Sequence, residues 1–181
     1  MSKSSFKNRI IRAAMLDSNL YEEVEADKSA LGQAMAIVVF SSIAAGIGLY
    51  KTGGFSGIIT GTMASLISWY VWAYLTYFIG TKFLPEPQTQ ADLGELLRTI
   101  GFSSSPGLLR VFYFVPGIGV LLYLISSLWM LVAMIIAVRQ ALDYNSTLRA
   151  VGVCVIGYII QIFVLVIIVS IFGGVLPEAT P

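Results

Sequence analysis

Residues 99–138 read TIGFSSSPGLLRVFYFVPGIGVLLYLISSLWMLVAMIIAV, with no Asp, Glu or Lys and a single arginine, Arg110. A hydrocarbon layer about 30 Å thick takes about 20 helical residues, at about 1.5 Å of rise each. This stretch is long enough for two crossings, and Pro116-Gly117-Ile118-Gly119 supplies the turn between them. Outward from this pair, residues 31–50, 55–80 and 150–176 also lack Asp and Glu, and each holds one crossing. The sequence therefore predicts an all-α, polytopic membrane protein with five transmembrane helices, at about 31–50, 55–80, 99–115, 119–138 and 150–176. Residues 1–30 form an N-terminal segment with an interfacial amphipathic helix, and 177–181 a short external tail.

Composition agrees with this reading. The 181 residues are 57% hydrophobic and 12% charged, with mean hydropathy +0.84, whereas soluble domains carry about 25% charged residues. A net charge of +1 argues against a nucleic-acid partner or a polyacidic substrate. Histidine is absent and Cys154 is the one cysteine, which removes the usual nucleophile–base pairs, histidine-bearing metal sites and an intramolecular disulfide. The spans hold no Asp, Glu or His, so no enzyme, metal or cofactor is expected. Because Arg9 and Arg12 interrupt the apolar residues of the basic N-terminus, no cleaved signal peptide is expected either.

Position of charge decides orientation, since short cytoplasmic loops retain the excess of Lys and Arg. An inside N-terminus puts Lys3, Lys7, Arg9, Arg12, Lys28, Lys82, Arg98, Arg139 and Arg149 on the cytoplasmic side of an inner membrane and leaves only Lys51 outside. Every acid except Glu178 falls on the same side. A re-entrant 99–115 would give four spans and move Arg139 and Arg149 outside, a poorer fit to the rule.

Several polar segments face that side. Phe6, Ile10, Ala14 and Met15 share one helical face with Lys7, Arg9 and Arg12 elsewhere, which suits either binding of anionic lipid or docking on the bundle. Glu22, Glu23, Glu25 and Asp27 precede the first span. They form a solvated face, offer a partner or cation site, or pair with Arg12, Arg98 or Arg139. After Pro85 and Pro87, Asp92 or a neighbour caps an amphipathic helix carrying Leu93, Leu96, Leu97 and Ile100.

That helix runs into Gly101, Ser103, Ser104, Ser105, Pro106 and Gly107, where Pro106 displaces the carbonyl of Phe102 and kinks the chain. The expected outcome is a kink satisfied by the serines and neighbouring helices; the sharper alternative is a small polar binding site at a broken helix. Arg110 lies about 18 Å of helix beyond Arg98, within snorkelling reach of the outer headgroups. Gly57, Gly61 and Ser65 form a small ridge that allows close approach of another helix, expected within the same chain, with a helix of a second copy as the alternative. Trp69, Tyr70, Trp72, Tyr74 and Tyr77 read as interfacial anchors, while Trp129, near mid-span, needs an acceptor or lines a cavity.

Taken together, the basic N-terminus, LYEEVEADKSA at 20–30, GELLRTIGFSSSPGLL with Gly101, Phe102, Ser103 and Pro106, and SLWMLVAMIIAVRQALD at 127–143 resemble the Yip family of Ypt/Rab-interacting membrane proteins. The resemblance covers about residues 18–174. It implies a five-helix bundle with a cytoplasmic N-terminus that acts through partner contacts. The short N-terminal segment, without an Asp-Leu-Tyr-Gly-Pro motif, is similar to prokaryotic members.

The function expected is a non-enzymatic scaffold or adaptor that organises lipid or recruits protein partners at its cytoplasmic face. Candidate contact residues there are Arg9, Arg12, Glu22, Glu23, Glu25, Asp27 and Arg139. The alternatives are a small channel or lipid/solute carrier using Gly101, Ser103, Ser104, Ser105, Pro106, Arg110 and Trp129, or an accessory subunit of a larger membrane complex. Membrane lipids and a second copy of the chain are further candidate partners.

Overall fold

A computed structural model describes residues 4–172. Lys3, residues 173–176 of the fifth predicted span, and the 177–181 tail with Glu178 lie outside the described residues. Seven α-helices run in the order α1 (Phe6–Ala14), α2 (Ser18–Ala26), α3 (Leu31–Gly48), α4 (Tyr50–Phe78), α5 (Leu93–Ser103), α6 (Gly119–Ala141) and α7 (Thr147–Phe172). A 3₁₀ turn, Lys28–Ala30, leads into α3, and a π turn, Ile79–Phe83, prolongs α4.

Among the described residues, four helical stretches are long and apolar enough to cross a membrane: Lys28–Gly48, Gly53–Phe83, Gly119–Ala141 and Thr147–Val164. The remaining crossing is composite. Leu93–Ser103 is α-helical, and Ser105–Phe114 continues it as a 3₁₀ helix. At about 1.5 and 2.0 Å of rise per residue the two pieces reach about 36 Å, enough to traverse the bilayer. Membership of the all-α, membrane-spanning class stands, with the third crossing built from two pieces rather than one.

The break has a local cause. Pro106 has no amide proton to give the carbonyl of Phe102, and the Ser105 hydroxyl donates to that oxygen instead, at 2.7 Å. Ser103 donates to Ile100 O at 2.7 Å, and Ser126 of α6 donates to Pro106 O at 2.9 Å. Serines and a neighbouring helix thus satisfy the groups that the break frees.

Small residues seat this broken crossing along α3. A Cβ on Gly101 would stand 2.7 Å from the Cβ of Ala34, and Gly107 lies against the Ser41 hydroxyl. Farther along, a Cβ on Gly48 would stand 2.5 Å from the backbone oxygen of Arg110. Ala34, Ser41 and Gly48 are seven residues apart, two turns of one helix face. Near the start of α4, Gly54 makes a kink at φ 58°, ψ −162°, a conformation that only glycine takes without strain.

Burial is concentrated at the end of the bundle that carries α1 and α2. Leu20, Tyr21 and Val24 of α2 pack with Leu96 and Ile100 of α5 and with Ala137, Val138 and Ala141 of α6. Phe6 and Ile10 of α1 lie against this core, while Ile11 and Met15 are exposed. Farther from it, α4, α6 and α7 present Ile59, Met63, Leu124, Leu128, Ile159 and Phe163 outward, as a lipid-facing surface does.

Candidate functional site

The N-terminal polar face is held by a network centred on Arg9. Amphipathic periodicity starts α1 behind an N-cap at Ser5, whose side chain accepts from the Asn8 amide, and turns Arg9 and Ala13 inward. Arg9 is 1% exposed. Its Nη2 lies 2.9 Å from both Glu23 and Asp27, Nε donates to Glu23 at 3.0 Å, and Nη1 donates to Gln33 at 2.9 Å. Such burial of a cation is tolerated because its donors are met by charged and polar acceptors. Arg12 bridges Asp17 at 2.7 Å and Glu23 at 2.6 Å, and this hydrogen bond holds the Asp17 carboxyl below the usual carboxylate range.

Two other basic side chains take carbonyls rather than acids. Arg98, buried on α5, donates from Nε to Val24 O and Glu25 O at 3.0 Å each, with Nη2 also on Glu25 O. It thereby satisfies the last-turn carbonyls of α2, which have no partners within the helix. Arg139 at the end of α6 donates to Tyr144 O, Asn145 O and the Thr147 hydroxyl. Of the three basic partners expected for the acids, only Arg12 pairs with them, and Arg9 supplies the main link.

Beside this network a cleft of about 650 Å³ is lined by Glu22 and Glu25 of α2, Glu95 of α5, Arg139 and Gln140 of α6, and Asp143. A capping box fixes α5 at this surface: Asp92 accepts from the Glu95 amide at 2.8 Å, and Glu95 accepts from the Asp92 amide at 2.7 Å. Gln140 donates to Glu22 at 2.8 Å. Burial pushes the Glu25 carboxyl up to about 8, and Asp143, Glu95 and Glu22 add to the shift. Glu25 therefore favours its protonated form at neutral pH, in a cleft it shares with three other carboxyl groups and Arg139.

The floor of the cleft is tied down by Tyr144. Its hydroxyl lies 3.0 Å from Gly80 O and 2.7 Å from Leu84 O, and burial raises it to about 12. Glu86 accepts from the Asn145 amide at 3.0 Å and pairs with Arg149 at 3.4 Å, joining the two loops.

A second, larger cavity of about 1080 Å³ lies among the membrane helices. α4 contributes Gly57, Gly61, Ser65 and Trp72, the broken crossing Ser103, Ser104 and Arg110, α6 Ser127 and Met134, and α7 Cys154 and Tyr158. Among the described residues, nothing of the same chain packs on the small ridge at Gly57 and Gly61. A Cβ at Gly57 or at Gly61 would meet no atom of the described residues within 4 Å, and both glycines line the cavity.

Arg110 donates from Nη2 to Ser127 at 3.0 Å and stacks over Tyr123, with Cζ 4.9 Å from the ring centroid. Its Nε is buried without a hydrogen-bond partner, as is the indole Nε1 of Trp72. Gly101, Ser105 and Pro106 belong to the seat of the break rather than to the cavity lining. Trp129 is half-buried and does not line the cavity. Trp69 and Trp72, read as anchors with Tyr70 and Tyr74, turn inward, and Trp69 donates to Leu97 O at 3.1 Å. Only Tyr70 and Tyr74 of that set are exposed.

No curated protein and no solved structure matches the chain. A family model described as the Yip1 domain matches residues 18–169, from α2 into α7 and through both cavities, and on that match the chain belongs to the Yip1 domain family of membrane proteins.

Proposed function

We propose that the protein is a non-enzymatic membrane scaffold that recruits a soluble partner through its N-terminal polar face, which the basic-residue rule assigns to the cytoplasm. The observation that carries this reading is the cleft in which Glu22, Glu25, Glu95 and Asp143 converge from two helices and a loop. The Arg9 network supports it by fixing α1 and α2 to the bundle, so the surface is preorganised and association costs less ordering. Carboxylates on a partly exposed rim suit a basic segment of the partner, which they steer and orient.

The reading is tested by crosslinking the full chain in membranes and identifying attached proteins by mass spectrometry, with wild type beside Glu22→Lys combined with Glu25→Gln. A partner captured by wild type, lost from the variant and weakened by salt is the expected result. A clean monomer, or capture that ignores the two changes, refutes it.

A further inference from the structure

We propose that the cavity among α3, α4, α6 and α7 binds one anionic glycerophospholipid, with its phosphate on Arg110 and an acyl chain along the wall of Gly57, Gly61 and Ser65. The volume of about 1080 Å³ is slightly above the usual range of ligand pockets, about 300 to 1,000 Å³. Its wall is mostly apolar, as a hydrocarbon chain requires, and a cavity opening beside lipid-facing helices is within reach of lipid.

The small residues are arranged for an occupant other than a helix of this chain. Where glycines serve helix packing, as at Gly101 and Gly48, a Cβ would collide with α3 or with the chain opposite it. At Gly57 and Gly61 the space in front of the backbone is open among the described residues. Those two glycines widen the cavity.

The cation decides the headgroup. Arg110 has no carboxylate partner among the described residues, and its Nε is buried without an acceptor. An unmet charged donor is costly in a site shielded from water, and a phosphate offers a guanidinium paired acceptors in matching geometry. Its height is right as well: the backbone of Arg110 lies against Gly48, the last residue of α3, at the headgroup end of the crossing. Toward the other end stands Trp72, 8% exposed, whose indole N–H likewise finds no acceptor in the protein. Arg110, with no counter-charge, and Trp72 thus line the two ends of one cavity.

Trp72 is also the reporter. The full chain in mixed micelles is titrated with phosphatidylglycerol or phosphatidylcholine brominated on the acyl chains, and tryptophan quenching is read. Quenching by phosphatidylglycerol is expected at about one tenth the mole fraction needed for phosphatidylcholine, whose phosphate carries the same oxygens but whose choline cation offsets the negative charge that Arg110 attracts. Trp72→Phe removes the quenched component, Arg110→Gln abolishes the preference, and Arg110→Lys keeps part of it. Gly61→Leu fills open space, keeps the fold by circular dichroism, and lowers quenching by both lipids.

Equal quenching by the two lipids in wild type, or a preference that survives Arg110→Gln, overturns the proposal. Unchanged quenching in Gly61→Leu does so too, including the case in which that change converts a dimer to a monomer by light scattering and so shows a second copy on the wall. None of these outcomes bears on partner capture at the polar face.

Discussion

Arg9 shows how far one side chain's context changes its meaning. On a helical wheel it is a cation flanking an apolar face, suited to anionic lipid, yet it is 1% exposed and bonded to Glu23, Asp27 and Gln33. Removing one member of a buried ionic network leaves the others uncompensated. Arg9→Ala is therefore expected to cost about 3 kcal/mol in a denaturation titration in detergent, the low end for such losses because Glu23 keeps some water. Glu25 makes the opposite prediction. Its carboxyl is raised to about 8 from a model-peptide value of 4.5, so the folded state binds the proton more tightly than the unfolded chain. Stability contributed by the neutral form is complete below about 4.5 and is lost as pH rises through about 8. Glu25→Gln should leave the melting temperature unchanged near pH 4 and raise it relative to wild type above pH 8. A constant difference across that range would refute the assignment.

At the scale of elements, the composite third crossing depends on two kinds of residue. Ser105 gives the Phe102 carbonyl the donor that Pro106 withholds. Ser105→Ala leaves that carbonyl buried and unmet and should destabilise by about 1 to 3 kcal/mol, read from the same titration. Gly101 permits close approach to α3. Gly101→Leu cannot be accommodated without parting α3 from α5, because the obstructing atoms include the backbone of Ala34, and it should abolish the folded, protease-resistant form. The Pro106 break was legible because proline acts on its own chain. The seat of small residues on α3 was written just as plainly, at Ala34, Ser41 and Gly48, but small residues do not announce whether a helix, a lipid or a void stands opposite. Gly57, Gly61 and Ser65 read as a packing ridge for that reason, and tertiary contact assigned the packing role to the other set.

For the whole molecule, orientation is the property with the most direct test. Single cysteines at Lys51 and Gly117 in a Cys154→Ala background should both label from outside with an impermeant thiol reagent, since the start of α4 and the turn before α6 lie at the end of the spans opposite the N-terminal helices. Protection of position 117 would instead place the third crossing as a re-entrant loop.

The sequence by itself determined that lipid is part of the solvent, that the chain is helical throughout its spans, and where Pro106 breaks a crossing. Hydrophobic run length and a missing amide proton are local quantities, independent of what the rest of the chain does. Only the tertiary structure decided that Arg9 is an internal clamp, that Trp72 rather than Trp129 lines the cavity, and that four carboxyl groups share one cleft. Those facts depend on contacts between residues far apart in the chain, such as Arg98 with Val24 and Gln140 with Glu22. Periodicity assigns a residue to a face, whereas the neighbour it meets there is set by how the helices pack.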